Sequence, residues 1–282
     1  MKYVIFMEID VKKLRKEFKK PFDLVNTSDG ITLFLRKWEP SAPSNKAILI
    51  LHGITAYSGP YAMFGEAISK TGFTAIGLDL RGHGLSDGNR GDYPSKERLI
   101  SDLKETVSHL KKEFNTLVIL GHSLGVLTAL LTKMNSDEKI DGLILLSAGK
   151  TVKPGVYKNP SVLQKLKILV SSIFRPSKPV ISYYREGILG LDDPLFNFKY
   201  TLRFMRLVGF KDVDLSEEID CPILLGVGEN DELFSVESAQ SLLDELPCKD
   251  KRFFIMPGAK HAIEFTEESF KETKSWLNDK FS

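Results

Sequence analysis

The sequence has little cysteine, little net charge and no long apolar run, and each shortage excludes a class of protein. Its two cysteines, Cys221 and Cys248, are far apart and form no C-x-x-C motif. This excludes a disulfide framework or a cysteine metal site and favours a reducing, cytoplasmic setting. The net charge of +2 gives no global basic field that would predict nucleic-acid binding. Because no apolar run approaches the roughly 18 residues of a membrane span, and the stretch 1–7 is too short for a signal peptide, we expect a protein that neither crosses a membrane nor is exported.

What the sequence does contain is the alternation typical of an α/β protein. Its 42% of hydrophobic residues suffice for one sizeable core. Two short predicted strands, 22–26 and 32–38, flank a turn signal and favour a hairpin. Unbroken apolar runs then follow at 47–51, 74–78, 117–120, 143–146, 223–227 and 252–256. Such runs are buried on both faces, and with helical patterns between most of them they predict a mostly parallel sheet flanked by helices.

One connection is longer than a single crossover helix needs. About 75 residues separate the sixth predicted strand from the run at 223–227. Within this segment apolar residues recur with helical spacing, and prolines interrupt the pattern. We therefore predict a helical cap at 150–215, inserted after the sixth strand and lying over the C-terminal edge of the sheet, where α/β folds carry their sites. The ranges 1–149 and 216–282 form the predicted core.

A glycine-flanked serine lies between one apolar run and a helical pattern. The pentapeptide reads Gly121-His122-Ser123-Leu124-Gly125. It predicts a sharp strand-to-helix turn that strains the serine backbone, and the two glycines let strand and helix pass closely. Pentapeptides of this form also occur by chance, so the rest of the sequence must supply the partners. Ser123 is the candidate nucleophile.

A serine nucleophile needs a basic partner, usually a histidine held by a carboxylate. Asp231 and His261 each follow a buried apolar run, and the chain order Ser, Asp, His is the one that accompanies such a turn. We predict Ser123, Asp231 and His261 as the catalytic residues. Asp79, at the end of an earlier run, is the rival for the role of the acid, although its glycine-rich turn favours a structural role.

Acyl transfer also needs backbone amides that stabilise the developing negative charge. The amide of Leu124 points from a helix N-terminus, and the amide of Ile54 follows the strand at 47–51, so we predict both as oxyanion donors. The other histidines are expected to be structural. We expect His52 to shape the oxyanion loop, His122 to pack or hydrogen-bond near the turn, and His109 to lie on a helix surface.

Further motifs accompany these residues along the chain. They are His52-Gly53 with Ser58-Gly59 and Tyr61, Asp79 with Gly82-His83-Gly84, Ser86, Gly88 and Arg90-Gly91, the pentapeptide around Ser123, Asp193-Pro194-Leu195, Asp231 and His261. Together they resemble the α/β-hydrolases of the monoacylglycerol lipase and lysophospholipase type, also called the serine aminopeptidase-like group. The chain departs from the usual pattern of such lipases at Ile54-Thr55-Ala56-Tyr57 and at Val126, where they have a small residue followed by Gly-Glu-His and a glycine, respectively.

The resemblance implies an α/β-hydrolase fold and a carboxylic ester hydrolase that needs no metal or organic cofactor. It implies Ser123 as nucleophile, Asp231 as acid, His261 as base, and the amides of Ile54 and Leu124 as the oxyanion hole. The implied substrate is a lipid-like ester, such as a monoacylglycerol or a lysophospholipid, cleaved through an acyl-enzyme.

Several alternatives stay open from the sequence. The same triad hydrolyses small soluble esters, amides or carbon–carbon bonds, and a chain of this fold can also act as a non-catalytic binding module. The serine at the turn argues against dehalogenases and epoxide hydrolases, which have an aspartate there. The sequence leaves the oligomeric state open.

The predicted cap carries an uneven distribution of charge. Between residues 150 and 185 there is no aspartate or glutamate, and the basic residues are Lys150, Lys153, Lys158, Lys165, Lys167, Arg175, Lys178 and Arg185. They flank an apolar stripe at 162–174, a pattern typical of a helix that lies on an anionic lipid surface. A solvated helix face is the alternative. Peripheral contact with an anionic membrane through the cap is therefore a hypothesis that the sequence motivates.

Overall fold

The computed structural model describes residues 9–157, 160–185, 188–209, 213, 216–262 and 266–282. Eight of the described strands form one sheet: β1 (Phe22–Asn26), β2 (Thr32–Trp38), β3 (Lys46–Leu51), β4 (Thr74–Asp79), β5 (Thr116–His122), β6 (Gly142–Leu146), β9 (Ile223–Gly228) and β10 (Lys251–Met256). Strands β7 (Ile181–Ser182) and β8 (Lys199–Tyr200) pair with each other instead. The sequence predictions for 1–7, for Lys158 and for the cap end at 215 lie outside the described residues.

The large sheet has the order β1-β2-β4-β3-β5-β6-β9-β10. Strand β2 is antiparallel to β1 and to β4, and the remaining neighbours are parallel. Parallel strands end at the same edge of a sheet, so the loops that follow β3, β5, β9 and β10 converge there. The predicted α/β class, with its N-terminal hairpin and mostly parallel sheet, is confirmed.

Helices cover both faces of the sheet. The described helices are α1 (Val11–Glu17), α2 (Ala62–Ser69), α3 (Lys96–Leu110), α4 (Leu124–Asn135), α5 (Val162–Phe174), α6 (Leu202–Arg206), α7 (Val236–Glu245) and α8 (Glu267–Phe281), of which α2, α3, α4, α7 and α8 pack on the sheet. On β3, Leu49 and Leu51 face a buried layer shared with α3, α4 and α7, whereas Ile48 and Ile50 face a layer shared with α2 and α8. Because each face of β3 is covered, its sequence is an unbroken apolar run rather than an alternating one.

The connection from β6 to β9, named the cap segment from here on, contains α5, β7, β8 and α6. The helices expected in this segment are present, and Ser161 and Gln164 begin α5 with a capping box. The pairing of β7 with β8 was not predicted, because two-residue strands leave no periodic pattern. The division of the chain into a core and a cap at 150–215 stays a prediction. None of the described helices is both long enough and apolar enough to span a bilayer.

Candidate active site

The candidate nucleophile lies where β5 ends and α4 begins. Ser123 has φ +56° and ψ −116°, a conformation that L-residues rarely adopt without support from the surrounding structure. A Cβ on Gly121 would lie 2.3 Å from the Gly125 carbonyl oxygen, and one on Gly125 would lie 2.0 Å from the Leu51 carbonyl oxygen. Neither position accepts a side chain, so both glycines are needed for the close approach of α4 to the sheet.

His261 contacts both the candidate nucleophile and the candidate acid. Its Nε2 lies 2.9 Å from Ser123 Oγ, and its Nδ1 lies 3.0 Å and 3.2 Å from the two carboxylate oxygens of Asp231. Because a carboxylate can only accept, Nδ1 carries the proton and Nε2 accepts from the Ser123 hydroxyl. The three residues therefore meet in the arrangement that lets a serine transfer its proton to an imidazole.

Asp231 is fully buried and is held by its own loop. Burial acts to raise the pKa of Asp231, but the neighbouring His261 and the amides of Phe234 and Leu233 outweigh burial and lower it. Those two amides donate to Oδ1 at 3.0 Å and 2.8 Å. The carboxylate is therefore ionised at neutral pH, where it can stabilise the imidazolium that forms on proton transfer.

Asp79, the rival acid, has different partners. Its Oδ1 accepts from the Ser58 amide at 2.6 Å, and its Oδ2 accepts from the Leu85 amide at 2.8 Å. Burial raises the pKa of Asp79, although these hydrogen bonds oppose the rise. The carboxylate thus joins the loops that follow β3 and β4, and no hydrogen bond links it to His261 within the described ranges.

The two candidate oxyanion amides come from a helix and a loop. Leu124 is the first residue of α4, so its amide has no acceptor within the helix. The peptide that joins Gly53 to Ile54 is fixed from its carbonyl side, because Gly53 O accepts from His52 Nδ1 at 2.8 Å and from the Ala56 amide at 3.1 Å. The carbonyl and the amide of a trans peptide point in opposite directions, so the Ile54 amide points away from His52.

His122 joins the oxyanion loop to His261. The Gly53 amide donates to the Tyr61 hydroxyl at 3.0 Å, and that hydroxyl lies 2.7 Å from His122 Nδ1. His122 Nε2 lies 2.8 Å from the His261 carbonyl oxygen, so Nε2 carries the proton and Nδ1 accepts from Tyr61. Burial among protein atoms and the nearby His261 lower the pKa of His122 to about 4, which keeps the ring neutral at neutral pH.

The other two histidines singled out from the sequence have structural partners. His52 is buried, and its Nε2 accepts from the Leu80 amide at 3.1 Å, so its ring connects the loops after β3 and β4. Burial lowers the pKa of His52 to about 4. His109 lies on α3, and its Nε2 is 2.7 Å from an Asp23 carboxylate oxygen on β1.

Comparison with known proteins identifies the family. The family model described as serine aminopeptidase, S33, matches residues 42–268, a range that includes every candidate site residue. The chain belongs to this serine aminopeptidase S33 family.

Its relatives include lipases. The monoglyceride lipase of Rattus norvegicus is 26% identical over 281 residues, which cover 92% of this chain and 90% of the relative. A soluble variant of monoglyceride lipase from Saccharomyces cerevisiae, solved in complex with a substrate analog, aligns with a TM-score of 0.76 at 20% identity and covers 94% of this chain and 96% of its own. The monoacylglycerol lipase of Paleococcus ferrophilus aligns with a TM-score of 0.69 at 26% identity, covering 88% and 98%. These comparisons confirm the α/β-hydrolase fold and support an ester hydrolase.

Two cavities of this S33 family member meet at the candidate nucleophile. The smaller has a volume of about 140 Å³ and is lined by Tyr61, His122 and His261 among mainly apolar neighbours. The larger has a volume of about 1100 Å³ and extends between α4 and the cap segment. Ser123 and Ile54 line both. In the part of the chain that is described, no cluster of three or more His, Cys, Asp or Glu side chains could hold a metal ion.

Two charged residues of this hydrolase were not assigned to the site from the sequence. Glu232, next to Asp231, accepts a hydrogen bond from the His261 amide. Arg185 of the cap segment lines both cavities and donates to Glu232. The acidic run around Glu232, directly after a buried strand, was a signal that could have identified it. No feature of the neighbouring sequence distinguishes Arg185 from the other basic residues of its segment.

Proposed function

We propose that the hydrolase cleaves carboxylic esters through an acyl-enzyme on Ser123. The observation that carries this proposal is the 2.9 Å contact between Ser123 Oγ and His261 Nε2, with Asp231 bonded to the other ring nitrogen. A free serine hydroxyl is a weak nucleophile, and a neutral imidazole in contact with it supplies the missing base.

In the first half-reaction, Ser123 Oγ attacks the ester carbonyl carbon while His261 Nε2 takes the hydroxyl proton. The carbonyl oxygen becomes an oxyanion, which the amides of Ile54 and Leu124 stabilise by hydrogen bonds. The tetrahedral intermediate then collapses, the bond from carbon to the alcohol oxygen breaks, and His261 returns its proton to the leaving alcohol. Asp231 stabilises the imidazolium between these two transfers.

In the second half-reaction, water replaces the alcohol. His261 takes a proton from the water while the water oxygen attacks the acyl carbon. The bond from that carbon to Ser123 Oγ breaks, the serine recovers its proton from His261, and the carboxylic acid leaves.

We infer that the substrate is a single-chain lipid ester, either a monoacylglycerol or a lysophospholipid. The support is the size and lining of the larger cavity, which includes Leu124, Leu127 and Val152, together with relatives that are named monoglyceride lipase. Apolar walls favour a chain of methylene groups, each worth about 0.8 kcal/mol on burial.

A panel of substrates tests this function. Monoacylglycerols and lysophospholipids of increasing chain length are compared with short soluble esters, aminoacyl amides and a carbon–carbon bond substrate. We expect kcat/KM to rise with chain length for the lipid esters, and Ser123→Ala to lower the rate by several orders of magnitude without unfolding the chain. A preference for short esters, amides or carbon–carbon bonds would replace the lipid assignment. A folded Ser123→Ala variant that keeps more than about a tenth of the activity would contradict the nucleophile.

We further propose that the cap segment docks on anionic lipid surfaces, from which the substrate is taken. None of the α5 residues is buried, and Val162, Leu163 and Phe174 are 84%, 76% and 77% exposed. Lys165 and Lys167 are exposed on the same helix. Exposed apolar side chains between lysines fit the interface of an anionic bilayer, where each lysine adds about 1 kcal/mol of attraction.

Co-sedimentation with vesicles tests the docking at low and high salt, with anionic and with neutral lipids. One variant changes three exposed cap lysines to glutamine: Lys165, Lys167 and Lys178. A control variant removes the same charge from three exposed lysines near the N-terminus: Lys12, Lys16 and Lys19. We expect salt-sensitive binding to anionic vesicles that the cap variant weakens and the control keeps. Equal binding to both lipids, or an equal loss in both variants, would contradict docking through the cap.

A further inference from the structure

The backbone of His261 is held on both sides. Its amide donates to Glu232 Oε2 at 2.9 Å, and its carbonyl oxygen accepts from His122 Nε2 at 2.8 Å. These two hydrogen bonds fix the backbone position from which the imidazole reaches Ser123 and Asp231. His122 in turn accepts a hydrogen bond from the Tyr61 hydroxyl, which accepts from the Gly53 amide in the loop after β3.

Glu232, by contrast, contacts a residue of the cap segment. Glu232 Oε1 accepts from Arg185 Nη1 at 2.8 Å, and the Arg185 side chain is only 8% exposed. A guanidinium this deeply buried needs a carboxylate partner. Partial burial acts to raise the pKa of Glu232, but the His261 amide and Arg185 outweigh it and lower that pKa. Glu232 is therefore ionised and accepts from both partners.

The two residues differ in their access to the substrate. Arg185 lines both cavities beside Ser123, whereas Glu232 belongs to neither lining. Glu232 contributes no atom to the walls of the cavities, so its substitution reaches the substrate only through His261 and through the Arg185 side chain that it holds.

We propose that Glu232 and Arg185 are positioning residues through which the cap segment holds His261 in line with Ser123. This role rests on the proposed function, because neither residue is given any chemistry of its own. Arg185 fixes the carboxylate, and the carboxylate fixes the His261 amide. Without Arg185, the Glu232 carboxylate is no longer fixed, and its hydrogen bond to the His261 amide weakens. The reaction of Ser123 therefore depends on a seated cap, even for reagents too small to fill the larger cavity.

The test measures how fast a small fluorophosphonate modifies Ser123, together with kcat and KM for a short ester. The variants are Glu232→Leu, Arg185→Met, the double variant and Arg185→Lys. We expect each of the first two to slow labelling about 10- to 100-fold, since small displacements of a reacting group cost this much. We expect kcat to change more than KM for Glu232→Leu. The double variant should be no slower than the slower single one, because both act through one path. Arg185→Lys should recover part of the rate.

A control separates this role from mere attachment of the cap segment. Arg203 on α6 also forms an ion pair with the core, donating from its Nε to Asp92 at 2.7 Å. We expect Arg203→Met to lower thermal stability but to keep the wild-type labelling rate. Glu232→Gln retains an acceptor for the His261 amide and should label at an intermediate rate, which gives a milder variant if Glu232→Leu unfolds.

The outcomes distinguish this inference from the function beneath it. A wild-type chain that the fluorophosphonate does not label overturns the proposed function, and the positioning role with it. A labelled wild type whose folded Glu232 variants react equally fast overturns the positioning role alone. Additive losses in the double variant, or an equal loss in Arg203→Met, also overturn it.

Discussion

Strand β3 of the core and helix α5 of the cap segment are both largely apolar, yet the structure buries one and exposes the other. Five of the six residues of β3 are buried, whereas none of the 13 residues of α5 is. Strand β3 has a partner strand on each side and helices on both faces, and α5 lies at the surface. The number of covering elements, rather than apolar content, decides burial here. The apolar face of α5 is therefore available for contacts outside the fold.

The same two regions contribute differently to the candidate site. The core supplies the three side chains with a proposed chemical role, Ser123, Asp231 and His261, from the turn or loops that follow β5, β9 and β10. The cap segment supplies contacts to those loops: Lys153 Nζ donates to the Asp231 carbonyl oxygen at 2.6 Å, and Arg185 donates to Glu232 at 2.8 Å. We expect substitutions in the core to change chemistry or stability, and substitutions on the outer face of the cap to change mainly what the protein contacts.

The largest effect is expected within the core, between its two buried carboxylates. Asp231→Asn should lower kcat by about 10³- to 10⁴-fold, because an amide cannot hold the His261 tautomer or stabilise the imidazolium. Asp79→Asn should instead destabilise the fold by about 1–3 kcal/mol, because one amide donor from Ser58 or Leu85 then faces an NH₂ group. Steady-state kinetics and denaturant unfolding of both variants check the assignment. If folded Asp79→Asn lost more kcat than Asp231→Asn, Asp79 would be the acid.

Truncating one leucine in each region compares their packing directly. Leu49 on β3 has no exposed surface, and Leu163 on α5 is 76% exposed. Leu49→Ala should lower the free energy of unfolding by about 2–5 kcal/mol, and Leu163→Ala should change it by no more than about 0.5 kcal/mol. Urea unfolding measures both. A cost for Leu163→Ala that approached the cost for Leu49→Ala would mean that α5 is covered in solution.

A pH-dependent effect on stability follows from where the histidines lie. All five are outside the segment 150–215, and His52 in the core has its pKa lowered by burial from 6.5 to about 4. Between these values the unfolded chain binds the extra proton and the folded chain does not, so stability falls as the pH drops from 6.5 to 4 and this contribution levels off below 4. His52 should contribute about 1.4 kcal/mol per pH unit in that window.

The His52→Gln variant isolates that contribution. Its free energy of unfolding, measured by denaturant titration across pH 4 to 7, should depend less steeply on pH than that of the wild type. Parallel pH profiles for the two proteins would show that His52 does not titrate on unfolding in this window.

Where the sequence predicted correctly, the pattern was local. The inner strands β3, β4, β5, β6 and β9 were recognisable because burial on both faces favours an unbroken apolar run. The edge strand β10 is only partly buried, although its sequence had predicted burial on both faces. Once those strands were assigned, the sequence placed Ser123, Asp231 and His261 in the turn or loops that follow them, and the structure brings the three side chains together. Their catalytic role stays a prediction. The strained serine was predictable because Gly121 and Gly125 flank it in the sequence.

What the sequence did not reveal depends on contacts between distant segments. Arg185 and Glu232 are 47 positions apart, and no pattern in the sequence predicts a contact between the cap segment and the loop that follows β9. The link from Tyr61 to His122 likewise joins two segments 61 positions apart.

Ser123, activated by His261, is the nucleophile of the proposed reaction. The most direct measurement is the intact mass and peptide map of the wild-type chain after reaction with a fluorophosphonate. Ser147→Ala is a control with the same unusual backbone, because Ser147 has φ +54° as Ser123 has φ +56°, but Ser147 is fully buried and Ser123 is not. We predict one phosphonyl adduct, on the peptide that contains Ser123, which is lost in Ser123→Ala and kept in Ser147→Ala. An unmodified wild type, or an adduct that persists in Ser123→Ala, would contradict the account.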